Sequence, residues 1–148
     1  MRLVAVVAVG LVVLSACAQE QAEEIPSTPP EPAAPTISVT DFAGSWNGFA
    51  NLPGSAPVET RITVASDGSG TLQLPDRDPI PMQLSISGDS LVGVADEYES
   101  VLRPGVRVLT RIANVRNGDS LSGSVVATYR SVGGDEVVVG TSQLARTP

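Results

Sequence analysis

From residue 57 to residue 146 the chain keeps time in twos. Val58, Thr60, Ile62 and Val64 fall on one side of the backbone, and Glu59, Arg61 and Thr63 on the other. Met82, Leu84 and Ile86 alternate with Gln83 and Ser85. Val106, Val108 and Ile112 alternate with Arg107 and Arg111, and Leu109 alone breaks step. Leu121, Val125, Ala127 and Tyr129 oppose Ser122, Ser124, Thr128 and Arg130. A helix brings together every third or fourth residue, whereas a strand sends successive side chains to opposite faces, so strands alone let these apolar sets share a surface. One face apolar and the other polar describes an antiparallel sheet buried on a single side.

Turn chemistry separates the runs. Asp67-Gly68, Gly88-Asp89, Asn117-Gly118 and Gly133-Gly134-Asp135 stand where hairpins need φ above zero, which Gly, Asn and Asp tolerate best. Strands are expected near 45–51, 57–65, 70–74, 81–87, 90–95, 105–115, 119–130 and 136–146, with extra strand around Tyr98 to Leu102. Gly88-Asp89-Ser90-Leu91-Val92-Gly93 is echoed by Gly118-Asp119-Ser120-Leu121-Ser122-Gly123, which reads as one hairpin solution used twice.

Eight strands joined by tight turns make a meander. Left open, it would carry two unpaired edges that invite aggregation, and closing it removes both. The expected fold is therefore all-β: a small antiparallel up-and-down barrel of about eight strands over residues 37–148, with a two-sheet β-sandwich as the alternative. Gly93, Gly123 and Gly140, inside strand runs, suit the bends of a narrow barrel. Eight strands enclose a space that side chains fill or one small ligand occupies. Ile62, Val64, Met82, Leu84, Val108 and Val125 are the candidate lining for an apolar ligand, and otherwise simply core.

The chain ahead of this domain has a different texture. Met1-Arg2 is followed by Leu3 to Leu14 without one polar side chain. Crossing a bilayer takes roughly 20 apolar residues, so this run is short for a span and has the layout of a secretory signal. Residues 18–35 hold five prolines, four glutamates and Ile25 as their one large aliphatic residue. Too little apolar surface is present there to offset the entropy of ordering, so a disordered tether is expected, about 3.1 Å long per residue where extended.

Leu14-Ser15-Ala16-Cys17 resembles the lipobox of bacterial lipoproteins. The resemblance implies a signal peptide over residues 1–16, cleavage between Ala16 and Cys17, and a diacylglyceryl group on the Cys17 sulfur. It also implies a palmitate-type chain on the new amino group. Cys17 is the one cysteine of the chain, and this position gives it a purpose. More than one acyl chain holds a protein stably at a bilayer. Residues 17–36 are then the lipidated Cys and its tether. By the same resemblance, the protein is exported and sits on the periplasmic face of the outer membrane in a Gram-negative cell.

Gly44-Ser45-Trp46, at the head of the first strand, is similar to the Gly-x-Trp signature of calycins, the lipocalin-like barrels. The resemblance implies that Trp46 closes one barrel end beneath a basic residue from the last strand. Arg146 is the first candidate for that residue and Arg130 the second. A guanidinium over an indole contributes about 0.5–2 kcal/mol.

Composition then excludes most chemistry. The chain has 148 residues, no His, nine basic residues that are all Arg, and a net charge of −7. Ser-His-Asp and Cys-His nucleophiles, Schiff-base lysines and His/Cys metal sites are out of reach. An acidic chain is also a poor partner for nucleic acid. The acidic clusters Asp76-Arg77-Asp78-Pro79 and Asp96-Glu97-Tyr98-Glu99 have carboxylates for calcium or for glycoside hydrolysis, but turns between strands are commonly acidic. Arg103, Arg107 and Arg111 would share a strand face as an anion patch, or pair with neighbours such as Glu59. The expectation is a non-enzymatic envelope lipoprotein without cofactor or metal, binding an apolar ligand or lipid. The alternative is a protein-interaction or inhibitor lipoprotein that acts on an envelope protein through its surface and loops.

Overall fold

The computed structural model describes residues 36–148. The expected signal peptide, the cleavage point at Ala16 and Cys17, and the tether as far as residue 35 lie outside the described residues. A 3-10 turn, Val39–Phe42, leads into β1 (Gly44–Asn51). Then follow β2 (Val58–Val64), β3 (Gly70–Gln73), β4 (Ile80–Ser87), β5 (Ser90–Ala95), β6 (Tyr98–Glu99), β7 (Arg107–Asn117), β8 (Ser120–Tyr129) and β9 (Glu136–Arg146).

Every pairing is antiparallel. Sequence neighbours pair throughout, except that β5 joins β7 beyond the short β6, and β1 joins β9. The sheet therefore closes on itself as an eight-stranded up-and-down barrel, the architecture of a small calycin-like barrel, and the sandwich alternative falls away. β5 and β6 occupy the same edge of β7, at Val115–Arg111 and at Val108–Arg107 respectively, so they are one interrupted stave. The strand anticipated over Tyr98 to Leu102 shrinks to two residues, because the chain leaves the ladder at Ser100.

Alternation translates directly into burial. On β2 the pattern puts Thr60, Ile62 and Val64 inside and Glu59, Arg61 and Thr63 outside, and on β7 it buries Val108, Thr110, Ile112 and Asn114. The principal core gathers Phe42, Trp46, Ile62, Val64, Leu72, Met82, Leu91, Ile112, Leu121 and Leu144. A smaller cluster of Val108, Ala127 and Tyr129 lies toward the other end of the long staves.

Both echoed hairpins are built alike. Ser87 pairs with Ser90 and Asn117 with Ser120, which leaves two-residue loops of Gly88-Asp89 and Gly118-Asp119. Each glycine, at the first loop position, has φ near +60°, while the Asp does not need a positive value; this is the type II′ arrangement. Asn117, expected to share the turn, is the last residue of its strand instead.

Close approach of neighbouring staves explains other glycines. A Cβ on Gly48 would lie 2.0 Å from the Gln143 carbonyl oxygen, and one on Gly123 would lie 1.9 Å from that of Ala113. No side chain fits there, so the sharp coiling needed for closure depends on hydrogen at these Cα atoms.

Candidate functional site

The two ends of the barrel differ in kind. β1 starts, and β9 finishes, at the end where Trp46 lies. The indole is completely buried, and its Nε1–H donates to the Phe42 carbonyl at 2.8 Å, so the 3-10 turn is tied across the opening. Arg146 is the cross-strand partner of Trp46, and its guanidinium carbon stands 5.1 Å from the ring centroid. The same guanidinium donates to the Ala43 carbonyl. Arg116 approaches the ring to 5.7 Å and donates to the carbonyls of Asp41, at 2.5 Å, and Gly118, at 2.9 Å. Gly44 has φ +134°, and a Cβ there would press on Arg146 at 3.0 Å. Gly44, Trp46 and Arg146 are thus brought together, with Arg116 as an addition.

Arg116 could have been read from parity. It continues the inward series Val108, Thr110, Ile112, Asn114 past the strand's buried part, as Arg146 continues Ser142 and Leu144. Arg130, the second candidate for the indole, belongs to the opposite end. There it binds Glu97 at 2.7 Å and also pairs with Asp135.

At that opposite end, loops from three parts of the barrel surround a cleft of about 1220 Å³. Both acidic clusters line it, together with Phe49, Pro57, Glu59, Val101, Leu102 and Arg107. Glu97 is engaged by Arg130 and, at 3.7 Å, by Arg107; the Arg130 hydrogen bond chiefly holds its carboxyl below the usual range. Glu99 accepts the Gly105 amide at 2.9 Å. Among the described residues no group of three or more His, Cys, Asp and Glu side chains is disposed to hold a metal ion.

The three arginines at four-residue steps do not form one patch. Arg107 and Arg111 lie on the outer face of β7, whereas Arg103 sits in the loop before it. Arg103 makes a two-pronged bond to Glu136, at 2.6 and 2.8 Å, and its guanidinium carbon stands 4.0 Å from the Tyr129 ring centroid. Glu136 and Glu97, not Glu59, are the carboxylate partners of this series.

Inside the barrel, between the two core clusters, remains a space of about 50 Å³. Ile62, Val108 and Val125 line it, with the hydroxyl-bearing Thr60, Thr110, Ser142 and Tyr98. Val64, Met82 and Leu84 do not. Met82 and Leu84 pack where Gly93 and Gly70 lack side chains, and Val64 belongs to the principal core. A water takes about 30 Å³, and pockets for small ligands run from about 300 Å³ upward, so the interior as folded is close to full. Its polar groups are mostly satisfied. Tyr98 and Thr110 share a hydrogen bond of 2.7 Å, and burial pushes the Tyr98 phenol up. Ser142 donates to Asn114 Oδ1 at 2.5 Å, while the completely buried Asn114 Nδ2 has no partner among the described residues.

Val58, Tyr98, Val101 and Leu102 line both the outer cleft and the inner space. They form the partition between them. Sequence reasoning missed Val101 and Leu102, since they follow a broken strand and carry no periodic signal. No family model matches this chain, and no curated protein resembles it beyond chance.

Proposed function

We propose that this chain is a non-enzymatic, membrane-anchored envelope lipoprotein whose barrel binds a small apolar molecule at the end opposite Trp46. The observation that carries the reading is the partition. One end of the barrel is stoppered by an indole, a 3-10 turn and two guanidiniums. At the other, a few side chains separate a roomy cleft from an apolar interior dotted with hydroxyls.

Electrostatics narrows the ligand class. The cleft lining holds Glu59, Asp76, Asp78, Asp96, Glu97 and Glu99 against Arg77 and Arg107. An anionic head group would be repelled at this rim, so the fitting molecule is an apolar chain with a neutral or cationic head. Titration of the purified chain with a dansyl-labelled long-chain amine and with the matching fatty acid tests this. The amine should bind at least tenfold more tightly; equal binding, or preference for the acid, would contradict the assignment.

A second reading, recognition of an envelope protein at the same cleft, is favoured by Phe49, which is 51% exposed beside it. Native mass spectrometry of the chain from its own host membrane separates the two: a co-purifying apolar mass supports ligand binding, and a stoichiometric protein supports recognition. The anchor is a proposal of its own, resting on Leu14-Ser15-Ala16-Cys17. Cys17→Ser should move the chain from the membrane to the soluble fraction, and continued membrane retention would count against lipidation.

A further inference from the structure

The geometry points to a built-in gate: the segment Ser100–Val106 is a strap that keeps the interior site closed and swings out to admit the ligand. The inference rests on the ligand-binding reading above, and it starts from how weakly this segment belongs to the barrel. The eight strands other than β6 are each paired along both edges, by ladders of three residue pairs or more. β6 contributes two residue pairs, Tyr98 with Val108 and Glu99 with Arg107, and the ladder then ends.

Beyond it, the strap's hydrogen bonds run mostly within the segment itself, and the Arg103–Glu136 ion pair ties it to the rest of the barrel. The Leu102 and Arg103 amides both donate to Ser100 Oγ at 3.1 Å, and the Gly105 amide donates to Glu99. Its backbone bonds are Ser100 N–H to the Val106 carbonyl and Val106 N–H to the Arg103 carbonyl, at 2.8 and 3.1 Å. The far fastening is Arg103, which crosses to β9, binds Glu136 and lies over Tyr129. Both side chains of that ion pair are solvent-exposed, 40% and 56%, so water competes for them throughout. Segments with few ladder bonds and exposed attachments open at lower free energy than the ladders around them.

What the strap covers gives this looseness a purpose. Val101 and Leu102 are its inward side chains, and they face the inner space on one side and the cleft on the other. Displacing them would merge the small interior space with the cleft along a path bounded by Tyr98, Thr110 and the apolar wall of Ile62, Val108 and Val125. The strap is then a plug competing with the ligand for the same apolar surface. A closed population lowers apparent affinity by the fraction of open molecules, so weakening the far fastening should tighten binding.

Two measurements on the full chain decide the matter. The first is native-state hydrogen exchange without ligand. The amides of Ser100, Leu102, Arg103 and Val106 should exchange at least a hundredfold faster than those of Ile112 and Val125; equal protection would overturn the gate. The second is affinity for the dansyl-labelled amine in wild type, Glu136→Gln and Arg103→Gln. Both variants should bind at least threefold more tightly, Arg103→Gln more so because it also leaves Tyr129. Binding that the variants leave unchanged or weaken would overturn the gate while the ligand reading stands. Fast exchange in the strap with no probe bound by any of the three forms would instead overturn the ligand reading.

Discussion

At the scale of single residues, Trp46 is the side chain on which the stoppered end depends. Truncation to Ala removes the largest fully buried side chain and the bond to the Phe42 carbonyl, so Trp46→Ala should cost about 3–5 kcal/mol in urea unfolding. Trp46→Phe keeps most of the volume but leaves that carbonyl without its donor, and should cost about 1–3 kcal/mol. Either variant melting like wild type would refute the stopper. Ser142→Ala should also destabilise, by about 1–3 kcal/mol, because Asn114 would lose its one partner. Adding Asn114→Val should restore part of the loss by removing the stranded amide. Gly44-x-Trp46 was visible in the sequence, as was Arg146. Arg116 was hidden only because it lies beyond the buried stretch of β7, and Asn114 because a polar residue at an inward position has no signature in alternation.

Among the elements, closure depends on where staves touch. Gly48→Ala and Gly123→Ala place a methyl within 2.0 and 1.9 Å of a neighbouring carbonyl oxygen, and should unfold the domain or lower its melting temperature severely. Gly133→Ala meets nothing within 4 Å and has no positive φ to oppose it, so it should stay within about 0.5 kcal/mol of wild type. Circular dichroism melting of the three variants checks the contrast. Alternation made β2, β4, β7 and β8 readable and turn chemistry placed β1, β3, β5 and β9, with ends off by a residue or two. The interruption between β5 and β6 was not readable, because Glu97, at the break, is held by Arg107 and Arg130, ten and 33 residues further along the chain. The distant pairing of Arg103 with Glu136 escaped for the same reason.

Over the whole molecule, charge and polarity divide the barrel into an end closed by Trp46 and an acidic end that carries the cleft. The fastenings of the cleft end predict its response to acid. Arg103 holds the Glu136 carboxyl below its ordinary value, and Arg130 does the same to Glu97. A depressed carboxyl contributes stability above its ordinary range and loses it as pH falls through the lowered value. The groups facing Glu136 are Arg103 and Tyr129, and those facing Glu97 are Arg130, bonded in turn to Asp135, and Arg107. Acidification below about 4.5, the ordinary glutamate value, should therefore lower the protection of the strap amides, relative to their intrinsic exchange rates at each pH, before the ladders of β7 and β8 respond. Glu136→Gln should flatten that dependence, and strap protection indifferent to pH in both forms would contradict it. The central claim is that one end of the barrel binds and the other only seals. An amide-resolved NMR titration with the dansyl-labelled amine tests it most directly: shifts should concentrate at Phe49, Val58, Tyr98 to Arg107 and Tyr129, with the Trp46 indole and Gly118 unmoved. Shifts centred on Trp46, or no saturable shifts at all, would contradict the account.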